Sequence, residues 1–211
     1  MDGWNDLFKT TVGLLAIVNP IGGITLFINV SKNWSAAERA RTSRTVAMTV
    51  FTVLGITAFL GDRILEFFGI SLASFMVGGG ILILLLAISM LQARESSIRH
   101  TPEEAEEAQD KHAIGVVPLG IPLLAGPGAI SSVIISAHQA QGSFIGHAQL
   151  LIPVALIALL VWGVFLLSQP IARRLGMTGI NIVTRLMGLI LAAMAVEFIA
   201  KGISELFPKL V

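Results

Sequence analysis

The stretch Leu14–Val30, LLAIVNPIGGITLFINV, is apolar enough to cross a membrane, yet its middle is Asn19-Pro20-Ile21-Gly22-Gly23. Proline deletes a backbone donor and frees the carbonyl four residues earlier, and glycine weakens a helix interior. Unpaired N–H and C=O groups in hydrocarbon cost several kcal/mol each, so irregular backbone at that depth persists only against protein or a wet cavity. A break placed there needs a reason.

Composition sets the frame. The chain has 211 residues, 55% hydrophobic and only 13% charged, with a mean hydropathy of +0.84. Soluble domains carry about 25% charged residues. The reading is an integral membrane protein, all-α. A net charge of +1 leaves no footprint for nucleic acid. Cysteine is absent, which removes disulfide and thiolate chemistry. The N-terminus, MDGWNDLFK, has two acids before its lysine, unlike the positive start of a secretory signal, so the first apolar segment reads as a span.

At roughly 20 residues per span, six segments qualify: 11–30, 45–61, 70–92, 113–136, 149–168 and 182–204. The fourth carries Pro118, Pro122 and Pro127 and cannot be one regular helix. Lys32, Arg39, Arg41, Arg44, Arg94, Arg99, Lys111, Arg173 and Arg174 fall in alternate loops, against Lys9, Arg63, Lys201 and Lys209 on the other side. The positive-inside rule then places both termini outside and the three basic loops in the cytoplasm. Residues 94–112 form the one sustained polar run and read as a solvated cytoplasmic linker.

Self-similarity gives the break a partner. Asn19-Pro20 and Gly126-Pro127 lie 107 positions apart, as do Gly69 and Gly176; at the same offset Thr25 meets Ser132 and Asn29 meets Ser136. Residues 1–93 and 113–211 thus read as two three-span repeats, with spans 1 and 4 broken at NPIGG and GPG. Three spans per half inverts the second half, the layout of many secondary transporters, whose sites lie at the repeat interface near the midplane. Channels share the symmetry.

The breaks carry the candidate site. Glycines 22, 23, 126 and 128 permit close approach, and the helical pieces after Pro20 and Pro127 present N–H groups suited to a carboxylate. Thr25 with Asn29, and Ser132 with Ser136, share helical faces, and Ser131 adds a hydroxyl. The candidate binding set is Asn19, Pro20, Gly22, Gly23, Thr25, Asn29, Gly126, Pro127, Gly128, Ser131, Ser132 and Ser136. Neutral donors and acceptors suit a small polar solute better than a metal ion. The plain alternative is a pair of proline kinks whose hydroxyls bond back to the backbone.

Other features are less pointed. Arg185 near the cytoplasmic end of the last span, one helical turn from Asn181, is either a snorkelling anchor or a gating group. Thr184 and Gly188 beside it are gating or structural. Glu197 and Lys201 read as a structural pair, and Asp62 as solvated. His138 and His147 lack metal-ligand spacing. Ser131 lacks a nucleophile elbow and a base, so no enzyme and no cofactor are expected.

NPIGGITLF in the first span, PLGIPLLAGPGAISS in the fourth and TGINIVTRLMGLIL at the sixth resemble the MarC family, in its YchE-like branch, over nearly the whole chain. That resemblance implies a six-span inner-membrane protein distantly similar to LysE-type amino-acid exporters, some relatives carrying small neutral amino acids such as glycine and alanine. The expectation is a secondary transporter of small neutral solutes, with H⁺ or Na⁺ as coupling ion. The alternatives are a passive channel or a non-transporting component of a stress response.

Overall fold

A computed structural model describes residues 3–92, 120, 124–139 and 144–208. The expectations for the linker at 94–112, for the start of the fourth span and for Pro118 and Pro122 fall outside these residues. Among the described residues seven helices appear: α1 Gly3–Val18, α2 Pro20–Val30, α3 Ala36–Phe67, α4 Leu72–Leu91, α5 Pro127–Gln139, α6 Phe144–Leu166 and α7 Ser168–Leu206. Five stretches of the described residues are long and apolar enough to cross a membrane: Leu7–Val30, Ala36–Phe67, Leu72–Leu91, Gly146–Leu166 and Ser168–Leu206. Among the described residues there is no strand.

Two boundaries differ from the sequence reading. The second span was expected to start at residue 45, after its arginines, but α3 begins at Ala36 and runs for 32 residues. Ser35 and Glu38 form a capping box: the Glu38 N–H donates to Ser35 Oγ at 3.2 Å, and the Ser35 N–H donates to the Glu38 carboxylate at 2.7 Å. That cap satisfies two donors and lets the helix start in its polar turns. Residues 169–181, expected as a connection, are helical on both sides of Gly176, which alone leaves the helix with φ 62° and ψ 177°.

The helices pack around the first break. α4 lies along α7 and α3 along α6; α2 also packs on α7, and α5 on α4. Small residues set the α4–α7 separation. A Cβ on Gly202 would lie 2.7 Å from the Ala73 carbonyl oxygen, one on Gly80 3.0 Å from that of Ala195, and one on Gly188 3.1 Å from that of Ala87. Such backbone-to-backbone approach is how membrane helices gain packing contacts when lipid is as apolar as their side chains. Gly188 is therefore a packing residue.

The core is apolar and central, with Leu14, Val18, Phe27, Leu54, Ile83, Ile157, Phe165 and Leu191 inaccessible. Phe27 and Phe165 stack with centroids 4.7 Å apart, tying α2 to α6. Outward faces expose Ile56, Leu85, Leu159, Leu189 and Val196. In water this would be an aggregation liability; against lipid tails it is the compatible surface.

Candidate functional site around Asn19

Pro20 opens α2 at its first position, where a missing N–H costs least. Asn19 before it takes φ 43° and ψ 65°, the one left-handed non-glycine residue among those described. Asparagine tolerates that region better than most L-residues because its short side chain bonds locally. Here Oδ1 accepts from the Gly22 N–H at 3.2 Å. The Asn19 N–H still donates to Leu15 at 2.9 Å, and the Gly23 N–H donates to Asn19 at 3.2 Å, so the ladder bends with few losses.

The other end of the amide is different. Asn19 is 2% exposed, and its Nδ2 has no hydrogen-bond partner. A buried donor left unmade costs about 1–3 kcal/mol. A Cβ on Gly22 would collide with this nitrogen, and it would lie 3.2 Å from Thr184 Oγ1. Gly22 thus makes room for an amide lying over the first turn of α2 and facing α7. Beside it is a cavity of about 210 Å³, lined by Leu15, Asn19, Pro20, Ile21, Leu160, Val164, Val183 and Met187. Apart from Asn19 every wall is apolar.

The second break is built similarly and points elsewhere. Pro127 opens α5, the Ile130 N–H donates to Gly126 at 3.0 Å, and the Ala125 N–H donates to Gly120 at 2.9 Å. The two breaks cross near the centre: a Cβ on Gly128 would lie 3.5 Å from Ile17 Cγ2, and one on Gly23 3.9 Å from Leu124 Cδ2. Ser131 and Ser132 are buried, Ser136 is half-buried and Pro127 is exposed. Ser131 packs on α4, its Cβ 2.9 Å from where a Cβ on Gly79 would sit. None of these serines lines the cavity beside Asn19. The breaks approach each other through Gly128 at Ile17 and Gly23 at Leu124, while Ser131 turns toward α4.

Thr25 donates its hydroxyl to Gly22 O at 3.1 Å and, with Asn29, lines a groove further along α2. Thr184 was expected as gating or structural and faces Gly22 directly. Asn181 is half-buried and Arg185 exposed. Glu197 and Lys201 are both exposed and no ion pair joins them.

A cluster that sequence spacing missed lies elsewhere. Asp62 of α3 receives His138 Nδ1 of α5 at 3.2 Å, and His147 Nε2 of α6 lies 3.7 Å from its other oxygen. Phe59 stacks on His147 at 6.0 Å. Asp62 was expected to be solvated, but it joins three helices. Residues 62, 138 and 147 become neighbours only through topology, so no local spacing signals them.

An all-helical chain with this apolar exterior and these membrane-length helices is an integral multi-pass membrane protein. The model of the MarC family, described as MarC family integral membrane protein, matches residues 4–207, and the chain belongs to that family. Curated relatives are similar over nearly their full length. The UPF0056 membrane protein YhcE of Escherichia coli (strain K12) is 42% identical over 205 residues, covering 96% of this chain and 94% of the relative. UPF0056 membrane protein YvbG of Bacillus subtilis (strain 168) is 38% identical, covering 94% of each chain. UPF0056 membrane protein MJ1677 of Methanocaldococcus jannaschii is 37% identical, covering 90% of this chain and 92% of the relative. No solved structure matches.

Proposed function

We propose that this protein is a secondary transporter of small neutral solutes, foremost small neutral amino acids of the alanine and glycine kind. The observation that carries the reading is the buried Asn19 amide. Its Nδ2 is unpaired at the N-terminus of α2, beside a cavity of about 210 Å³. An unmade donor at the positive end of a helix calls for an acceptor-rich group such as a carboxylate. The cavity is smaller than the roughly 300–1,000 Å³ of drug-sized sites, and its apolar walls suit a short aliphatic side chain.

Alternating access follows from treating residues 1–93 and 113–211 as inverted halves joined by a cytoplasmic linker at 94–112. Several features support that symmetry. Pro20 and Pro127 each open a helix, and Gly69 and Gly176 each take a left-handed φ, of 65° and 62°. The pairing of α2 with α7 is mirrored by that of α5 with α4. Rocking of one half against the other would expose Asn19 to each side in turn. The basic loops then face the cytoplasm of the bacterial inner membrane, with both termini outside. H⁺ or Na⁺ is the coupling ion, and kinship to LysE-type exporters belongs to the same reading.

The test is counterflow in proteoliposomes with a panel of labelled amino acids. Saturable uptake with counterflow of alanine or glycine is the expected result. Flux linear in concentration without counterflow would make the protein a channel, and no flux or binding for any amino acid would favour a non-transporting stress component.

A further inference from the structure

The seam between α2 and α7 does not end at Asn19. Further along it opens into a groove of about 580 Å³ whose polar rim is Thr25 and Asn29 from α2 with Gln169 and Arg173 from α7. Each pair is four residues apart and so shares one helical face. The turn at Gly176, with its left-handed φ of 62°, also brings Met177 and Ile180 to the groove's wall. A Cβ on Gly176 would meet nothing within 4 Å, so the groove is open there.

Arg173 is exposed and has no ion pair among the described residues. Among the described residues no acid lines the groove with it. A guanidinium keeps its charge and offers a planar fork of donors that matches a carboxylate in bidentate fashion. Asn29 and Gln169 add carboxamides able to donate to the same anion or accept from an ammonium group.

The groove lies on the same α2–α7 seam as the buried donor but shares no lining residue with the cavity beside Asn19, and Thr184 comes close to Gly22 on that seam. On α2 the residues Asn29, Thr25 and Gly22 succeed one another in steps of four and three, which is one face of a helix, and the Asn19 side chain caps its first turn at Gly22. On α7, Ile180 and Thr184 continue the line from Arg173, and Thr184 meets Gly22 at the deep end. We propose that this groove is the mouth of the site on the Arg173 face, and that Arg173 captures the carboxylate of the solute before Asn19 receives it. The proposal rests on the transport reading and names its ligand class: small monocarboxylates, zwitterionic amino acids included.

The test uses the full chain in phosphatidylcholine vesicles sorted by orientation. Alanine is the probe, alaninamide the analogue without a carboxylate, and R173Q, R173K and R174Q the variants. R173Q should raise the KM for alanine at least tenfold from the face bearing Arg173, with kcat changed less than twofold. The KM from the opposite face should not move. Alaninamide should lose discrimination only against wild type, and R173K should restore part of the affinity. R174Q, outside the groove, should match wild type.

Equal KM values for wild type and R173Q, or an R173Q effect equal from both faces, would overturn the mouth while leaving transport intact. Absence of wild-type counterflow would overturn the transport reading, and the mouth with it. An R173Q effect that vanishes when phosphatidylglycerol is added would assign the arginine to lipid phosphate and also overturn the proposal.

Discussion

The Thr184 hydroxyl oxygen lies 3.2 Å from where a Cβ on Gly22 would sit, and the Asn19 amide nitrogen occupies that place more closely still. α7 therefore reads the first turn of α2 through a position that only glycine leaves open. Gly22→Ala should displace the Asn19 amide, a movable side-chain end, and leave the helices in place. Transport should fall at least tenfold while the thermal midpoint in detergent shifts by only a few degrees. A variant transporting like wild type would remove Asn19 from the site.

Asn19 itself separates backbone from side chain. Asn19→Gly keeps a residue that accepts a φ of 43° and deletes the donor. It removes the burial penalty of an unmade N–H, about 1–3 kcal/mol, against a glycine entropy cost of about 0.5–1 kcal/mol. Stability should stay level or rise while counterflow is lost. Asn19→Leu should lose both, since a left-handed backbone costs such a residue about 1–2 kcal/mol. Gly126→Leu should likewise abolish transport, with membrane insertion retained as the control measurement.

The α4–α7 contact gives a stability prediction independent of function. Gly202→Ala would drive a methyl to 2.7 Å from the Ala73 carbonyl oxygen, a backbone atom that cannot step aside. The expected loss is about 1–3 kcal/mol, read by thermal unfolding in detergent. Gly78→Ala is the matched control, because a Cβ there meets nothing within 4 Å. It should be neutral or gain up to about 1 kcal/mol from helix propensity.

Phe165 bridges the first break to α6. It stacks on Phe27 at 4.7 Å, and a Cβ on Gly23 would lie 3.1 Å from its ring. Phe165→Ala should cost about 3–5 kcal/mol. A double-mutant cycle with Phe27→Ala should show coupling of about 0.5–1.5 kcal/mol, the increment of an aromatic pair.

The Asp62 cluster should behave as a modest clamp. With Asp62 about a quarter exposed and His138 more than half exposed, Asp62→Ala should cost less than about 1 kcal/mol. Asp62→Ala and His138→Ala should be less than additive in unfolding midpoints. Full additivity would show that the two side chains do not interact.

Much of the architecture can be read from the residues. The apolar runs and the Asn-Pro and Gly-Pro breaks are local features, because proline acts on its own backbone and hydrophobicity acts residue by residue. The start of α3 has a local signal too, in Ser35 three residues before Glu38, although the charges at 39, 41 and 44 mark the same stretch as a loop. The helical turns at 168–175 were hidden by Arg173 and Arg174, which signal a loop in a membrane chain yet sit comfortably on an exposed helix.

The site divides along the same line. Helical spacing by itself determined that Thr25 shares a face with Asn29 and Ser132 with Ser136, since 3.6 residues per turn is a property of the chain. Which neighbour each face meets was decided only by tertiary packing. Helix rotation depends on where glycines such as Gly80, Gly188 and Gly202 let two backbones touch, and that fit involves residues more than a hundred positions apart. It turned Thr25 and Asn29 toward Arg173, Ser131 toward Gly79, and the Asn19 amide into a buried place with no acceptor. An unsatisfied donor is a relation among neighbours, so no stretch of sequence could display it.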